Sequence, residues 1–270
     1  MGRREIVENY ATDGLTEAVL ERAAARAGDE PLTAGHLALF DQFHMGGPAA
    51  TGWVGDALAV VPPATVLDVG SGLGGPARQL AAATGALVAG VDLTPEHVAG
   101  ATALSRAVGM HGTTAFLLGD ATELPFAAGA FDAAAMLFVG MNVADKHALF
   151  AEVRRVLQPG GRFVVYDPVL SGEEQPDYPM PWAARREDSH LLGPEQYGAT
   201  LRRAGFSVHE EHDCSVEVVR LADHADSDQA GRVEIARLQF GDQGMARFAN
   251  LLRAIRDGVV QPRMFVTTAD

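Results

Sequence analysis

Residues 66–76 read VLDVGSGLGGP, an apolar run and an aspartate followed by four glycines in six positions, Gly70, Gly72, Gly74 and Gly75, and closed by Pro76. A short apolar run that ends in such a cluster predicts a strand, a tight turn and a helix opening at the proline, since glycine accepts positive φ and proline suits the first helical turn. Outward from this stretch the same alternation continues. The runs LVAGVD, AFLLG, FDAAAMLFVG and GRFVVYDPV have strand length, and between them lie the helix-length segments GPARQLAAATG, PEHVAGATALSRAVG and DKHALFAEVRRVL. Alternating strand and helix predict an α/β fold, a doubly wound, mostly parallel Rossmann-like sheet with its ligand crevice at the carboxyl ends of the strands.

Upstream, residues 5–61 carry helical patterning in EIVENYA, LTEAVLERAAARAG, LTAGHLALFDQF and AATGWVGDALAVV, which stops at Pro62 and Pro63. Residues 1–62 are therefore read as an N-terminal helical lid and 63–216 as the core. Residues 217–270 form a helical insertion that precedes a terminal strand, RMFVTTA, and FSVHEEHDCSVEVV before it reads as one strand. The proline- and charge-rich segment SGEEQPDYPMPWAARREDSHL, 171–191, follows the fifth strand, where a long loop overhangs the crevice.

The chain has 270 residues, 47% of them hydrophobic, with 21 Lys and Arg against 35 Asp and Glu, a formal net charge of −14. A surface of that sign repels phosphate backbones and anionic lipid, so neither nucleic acid nor membrane is expected as a partner. The lone Cys214 excludes an internal disulfide and a cysteine-based zinc cluster, and no apolar run approaches 18 residues. A soluble, cytoplasmic protein is expected. His209 and His212 in HEEHD are three apart in a strand, which sends them to opposite faces, and LADHADSDQAGR lacks the spacing of a calcium loop, so no metal site is expected.

The glycine cluster itself admits two ligands. Gly70, Gly72 and Gly75 spell the G-x-G-x-x-G of a dinucleotide site, while Gly70, Gly72 and Gly74 spell a G-x-G-x-G that cradles S-adenosylmethionine. Asp92 closes the second strand, where a carboxylate accepts bonds from ribose hydroxyls of either cofactor. At the tip of the third strand, Asp120 followed by Ala121 and a Leu-Pro-Phe turn is placed to meet an adenine amino group and wall the ring. Taken in order, VLDVGSGLGG, GVDLTPEHV, GDATELPF, FDAAAMLFVGMNV and VLQPGGRFVVYD resemble the successive motifs of class I S-adenosylmethionine-dependent methyltransferases. The resemblance is to the small-molecule branch that includes ubiquinone, menaquinone and natural-product methyltransferases, and it spans residues 65–169.

That resemblance implies that Asp68, Gly70, Gly72 and Gly74 line the methionine end of the cofactor, that Asp92 with the adjoining Leu93 holds the ribose, and that Asp120, Ala121 and Phe138 serve the adenosyl moiety. The segment LFDQFHMGGPAAT, 39–51, resembles one that precedes the first strand in bacterial relatives, where the N-terminal helices close over the cofactor. By that likeness Gln42 and Tyr10 face the cofactor, Phe43 the acceptor, and His44 is a candidate base. Asp167, ending the fifth strand in VVYDPV, is a second candidate base expected on the crevice side, and Met141, Tyr178, Trp182 and His190 are candidate acceptor contacts. The expected activity is methyl transfer to an O, N or C atom of a small acceptor, with S-adenosylhomocysteine as product. The alanine-rich, lysine-poor composition points to a bacterial enzyme of specialised metabolism. Two rivals stand beside it: a protein that binds S-adenosylmethionine but catalyses another reaction such as cyclisation, and an NAD-dependent oxidoreductase. The helices of 217–258 are read as a dimer interface or a second lid.

Overall fold

The computed structural model describes residues 3–224 and 229–270. Four helices come first, α1 (Arg3–Tyr10), α2 (Leu15–Ala27), α3 (Ala34–Leu37) and α4 (Gly47–Leu58). The alternating unit follows: β1 (Thr65–Val69), α5 (Gly75–Thr84), β2 (Leu87–Asp92), α6 (Pro95–Ala107), β3 (Thr114–Leu118), β4 (Phe131–Leu137), α7 (Lys146–Val156) and β5 (Leu157–Leu170). The chain closes with α8 (Pro194–Arg203), β6 (Phe206–Asp213), α9 (Ser215–Asp223), α10 (Gln229–Phe240), α11 (Gly244–Arg256) and β7 (Val260–Ala269).

All seven strands share one sheet in the order β3-β2-β1-β4-β5-β7-β6. The first five strands are parallel, and β7 inserts antiparallel between β5 and β6. Chain order reverses between β1 and β4, and this switch point opens a crevice at the strands' carboxyl ends. Alternation in β4 shows why both faces are covered. Ala133, Ala135 and Leu137 join one apolar cluster with α4, α5 and α11, while Ala134 and Met136 join the opposite cluster with α7 and α8. A strand buried on both faces is apolar throughout, as β4 is.

Two sequence expectations are corrected. LTAGHLALFDQF is helical only over Ala34–Leu37, after which the chain turns through residues 38–46 to bring Asp41–His44 down onto the glycine loop. FSVHEEHDCSVEVV is a strand only to Asp213, whose Oδ1 accepts from the Ser215 N–H at 2.9 Å, and α9 begins at Ser215, so SVEVV is helical. His209 and His212 lie on β6 with separate partners, Thr268 and Glu210. The acidic stretch LADHADSDQAGR, 221–232, weighed above as a calcium loop, falls in part on residues 225–228, outside the described residues.

Candidate active site

The turn after β1 places Gly70 and Gly72 at φ 71° and 51°, the left-handed region that favours glycine. The Gly70 and Ser71 N–H groups donate to the Val91 carbonyl at 2.8 and 3.0 Å, folding the turn over the end of β2. A Cβ on Gly70 would collide with Val139, whereas Gly72 faces open space. Gly70, Ser71 and Gly72 line a cavity of about 300 Å³ at the switch point.

Asp92 stands opposite. Its Oδ2 accepts from the Gly72 N–H at 2.8 Å and its Oδ1 from the Thr94 N–H at 2.9 Å, with His97 Nδ1 3.4 Å away. Burial pushes its carboxyl up, but His97 and those two N–H groups outweigh burial and hold it below the ordinary carboxylate value. His97 is 5% exposed, and its Nε2 has no hydrogen-bond partner among the described residues. Past β3, Asp120 Oδ1 accepts from the Thr122 N–H and hydroxyl at 2.7 and 2.6 Å, and its Oδ2 pairs with Arg3 of α1.

The other wall begins where β4 ends. Phe138 takes φ 57° and donates its N–H to the Tyr166 carbonyl at 2.8 Å. The next two N–H groups, of Val139 and Gly140, donate to Asp167 Oδ1 at 3.0 and 3.2 Å, and the Tyr197 hydroxyl donates to Oδ2 at 2.8 Å. Asp167 is fully buried and lies outside the cavity lining. Burial pushes its carboxyl up to about 7, against Lys146 and those three donors. The expectation that Asp167 faces the crevice is thus corrected: it is buried outside the lining and holds the turn that carries Phe138, Val139 and Met141.

Residues 41–44 complete the floor. Gln42 Nε2 donates to Gln79 Oε1 at 2.9 Å and its Oε1 accepts the Thr51 hydroxyl at 2.6 Å. His44 Nε2 lies 3.0 Å from the Gly47 carbonyl and 3.2 Å from Thr51 Oγ1. The Thr51 proton is committed to Gln42 and a carbonyl only accepts, so Nε2 must carry the proton and Nδ1 keeps the ring's lone pair. Burial, offset only by the Gly47 contact, lowers the His44 pKa to about 4. A folded value below the unfolded 6.5 means a stabilising contribution present above pH 6.5 and lost as pH falls through 4. Wild type should therefore lose stability relative to His44→Gln between pH 6.5 and 4, by about 3 kcal/mol, in paired urea denaturation curves. A constant difference across that range refutes it.

Of the residues singled out from the sequence, Tyr10, Gln42, Phe43 and His44 line this cavity, as do Gly70, Gly72, Asp92, Leu93, Asp120 and Ala121. Phe138, Met141 and Trp182 line it too, Trp182 held by its indole N–H to Ser189 Oγ at 2.8 Å. Four others do not. Asp68 is buried behind the loop, its carboxyl pushed up to about 7 by burial and by Asp92, and Gly74 packs against Phe116 and Arg78. Tyr178 packs on the core, and His190 donates its main-chain N–H to the Met141 carbonyl at 2.9 Å while its carbonyl accepts from Lys146. Sequence reasoning missed His97, Asn142, Gln239, Phe240 and Leu251, all of them lining residues. His97 carried a signal, standing five residues after Asp92 in the first turn of α6.

A methyltransferase domain family matches residues 67–165, a little over a third of the chain. The chain carries a class I methyltransferase domain of the S-adenosylmethionine-dependent kind. Among curated relatives, the 24-methylenesterol C-methyltransferase 2 of Oryza sativa subsp. japonica is 30% identical over 169 residues, 60% of this chain and 47% of that protein. The chain thus spans about half the length of that relative. Among solved structures, geranyl diphosphate C-methyltransferase from Streptomyces coelicolor A3(2) aligns with TM-score 0.71 at 18% identity, covering 99% of this chain and 98% of the other. The cyclase SpnF aligns with TM-score 0.69 at 20% identity, covering 95% and 94%. At those identities the structural likeness defines the fold, a Rossmann-like one that hosts more than one chemistry. No helix of the described residues is long and apolar enough to cross a membrane.

Proposed function

We propose that this protein transfers a methyl group from S-adenosylmethionine to an O, N or C atom of a small organic acceptor. The observation that carries the reading is the convergence on one cavity of the Gly70–Gly72 turn, Asp92 at the end of β2 and Asp120 after β3. The residues present suit the cofactor: Gly72 leaves open space, and Ser71 Oγ and His97 Nε2 are buried polar atoms without partners among the described residues. When bound, the cofactor supplies an activated methyl on a sulfonium. Asp92 and His97 would take the ribose hydroxyls, and Asp120 with Ala121 the adenine. Phe43, Met141 and Trp182 form an apolar wall that orients the acceptor and excludes water, which is most of what an in-line displacement requires of a protein. His44 presents a neutral imidazole whose Nδ1 lone pair takes a proton from an acceptor that arrives protonated.

The acidic surface, the lone Cys214 and the alanine-rich composition support a cytoplasmic bacterial enzyme of specialised metabolism, without nucleic-acid or membrane partners. The helices of 217–258 are a candidate second lid, since Gln239, Phe240 and Leu251 line the cavity, or a candidate homodimer surface. The test is calorimetric titration of the cofactor-stripped protein with S-adenosylmethionine, S-adenosylhomocysteine and NADH. Micromolar binding of the two adenosyl ligands, about −8 kcal/mol, with none of NADH, is the expected result. Preferential NADH binding overturns the reading. Tight adenosyl binding with no S-adenosylhomocysteine release across an acceptor screen transfers the case to a cyclisation-type reaction.

A further inference from the structure

Resting on the methyl-transfer reading, we propose that the acceptor is an uncharged, mainly apolar molecule bearing a free hydroxyl, and that Gln239 reads that hydroxyl. Gln239 is 4% exposed and lines the cavity, yet neither Oε1 nor Nε2 has a hydrogen-bond partner among the described residues. Its main chain is tied down, the carbonyl accepting from the Thr12 hydroxyl at 3.3 Å. The neighbouring Phe240 is clamped between Tyr10, 6.2 Å away edge-on, and the Arg247 guanidinium, 5.2 Å from its ring centroid. A primary amide buried with both ends unbonded is costly, and a ligand in the same cavity is what can satisfy it.

The amide's chemistry selects the ligand group. Oε1 needs a donor and Nε2 an acceptor, and a hydroxyl supplies both from one atom. A carboxylate or phosphate supplies acceptors only and would set its charge against Oε1. The rest of the lining agrees. Ile6, Phe43, Phe138, Met141, Trp182 and Leu251 offer apolar surface. Among the described lining residues the single Lys or Arg is Arg3, already paired with Asp120, while Asp92, Asp120 and Asp145 bring negative charge. Arg247 and Lys146 are not among the lining residues. Arg247 donates to Asn9 and to the Met180 and Pro181 carbonyls, and Lys146 to the Val143 and His190 carbonyls. An anionic acceptor would enter a cavity of its own sign whose one lining Lys or Arg, Arg3, is already paired with Asp120.

The experiment uses the full chain saturated with S-adenosylhomocysteine and three matched series, each an alcohol, its methyl ether and its phosphate: geranyl, 2-naphthyl and a 3-hydroxysteroid. In at least one series the alcohol is expected to bind tenfold or more tightly than both partners. Gln239→Leu should bring that alcohol to within threefold of its ether while the S-adenosylhomocysteine affinity stays within threefold of wild type. If Gln239→Leu fails to fold, Gln239→Glu carries the test, widening the alcohol-to-ether gap because a carboxylate accepts from a hydroxyl and repels an ether oxygen. Phosphates that bind as well as alcohols, no alcohol binding in any series, or an alcohol preference untouched by both variants overturns the proposal. An equal loss of S-adenosylhomocysteine affinity in Gln239→Leu also overturns it, by assigning Gln239 to the cofactor. Failure of wild type to bind S-adenosylhomocysteine overturns the underlying reading instead.

Discussion

Asp92→Ala is expected to weaken S-adenosylmethionine binding at least 100-fold. The carboxylate has two tasks in one place. It accepts the Gly72 and Thr94 N–H groups, fixing the glycine turn against the first turn of α6, and it faces the cavity with lone pairs to spare for ribose hydroxyls. Hydrogen bonds to a charged group contribute about 1.5–3 kcal/mol each, so two lost ribose contacts amount to about 3 kcal/mol or more, two decades in affinity. Asp92→Asn keeps the shape and one carbonyl oxygen and should lose less than Asp92→Ala. Calorimetry on the three proteins, with thermal denaturation to confirm folding, decides the matter. A loss below threefold in a folded Asp92→Ala protein would remove Asp92 from the cofactor's contacts and with it the main support for the glycine-turn reading.

What the sequence disclosed follows from where parallel strands put their ends. In a β-α-β alternation each strand's carboxyl end faces the same crevice, so Gly70, Gly72, Asp92 and Asp120, each just past a strand, could be gathered from linear order alone. Side-chain direction at those ends is a finer matter. Asp167 has the parity of Phe163 and Val165, which belong to the cluster under α7 and α8, so alternation along β5 already turned it away from the crevice and toward Tyr197. That signal was present and overlooked. Gln239 and Leu251 had no such signal. They reach the cavity from α10 and α11, which the chain lays down after the core and before β7 inserts between β5 and β6, and helical periodicity says nothing about which distant surface a helix covers. The Asp213–Ser215 turn that leads into α9 was legible in principle, but the valines of SVEVV suited a strand equally well.

The largest loss of stability is expected from Asp41→Ala. Asp41 Oδ2 and Arg78 Nη2 are 2.7 Å apart, each side chain 1% exposed, directly beneath the glycine turn. Arg78 also donates to the Leu73 carbonyl at 2.6 Å, to the Ala101 carbonyl at 3.1 Å and to Ser105 Oγ at 3.0 Å, so it ties the turn, α6 and the 41–44 segment to α5. Removing the carboxylate leaves a guanidinium buried without its counter-charge, which costs about 3–5 kcal/mol and lowers the melting temperature of a chain this size by about 10 °C. Replacing both partners by apolar side chains, Asp41→Leu with Arg78→Met, removes the stranded charge and should recover part of that loss, though not all, because the Leu73, Ala101 and Ser105 bonds go with it. The same geometry links stability to the site. Asp41 immediately precedes Gln42, Phe43 and His44, and a Cβ on Gly75 would strike it, so the segment is seated against the start of α5. Freed from Arg78, the segment loses its fixed position in the cavity floor, and S-adenosylhomocysteine affinity should fall about tenfold alongside the stability. Urea denaturation and calorimetry on the two single variants and the double variant close the cycle. A cost under 1 kcal/mol for Asp41→Ala would show that the pair does not anchor the fold, and unchanged affinity in a destabilised protein would show that it does not anchor the cavity floor.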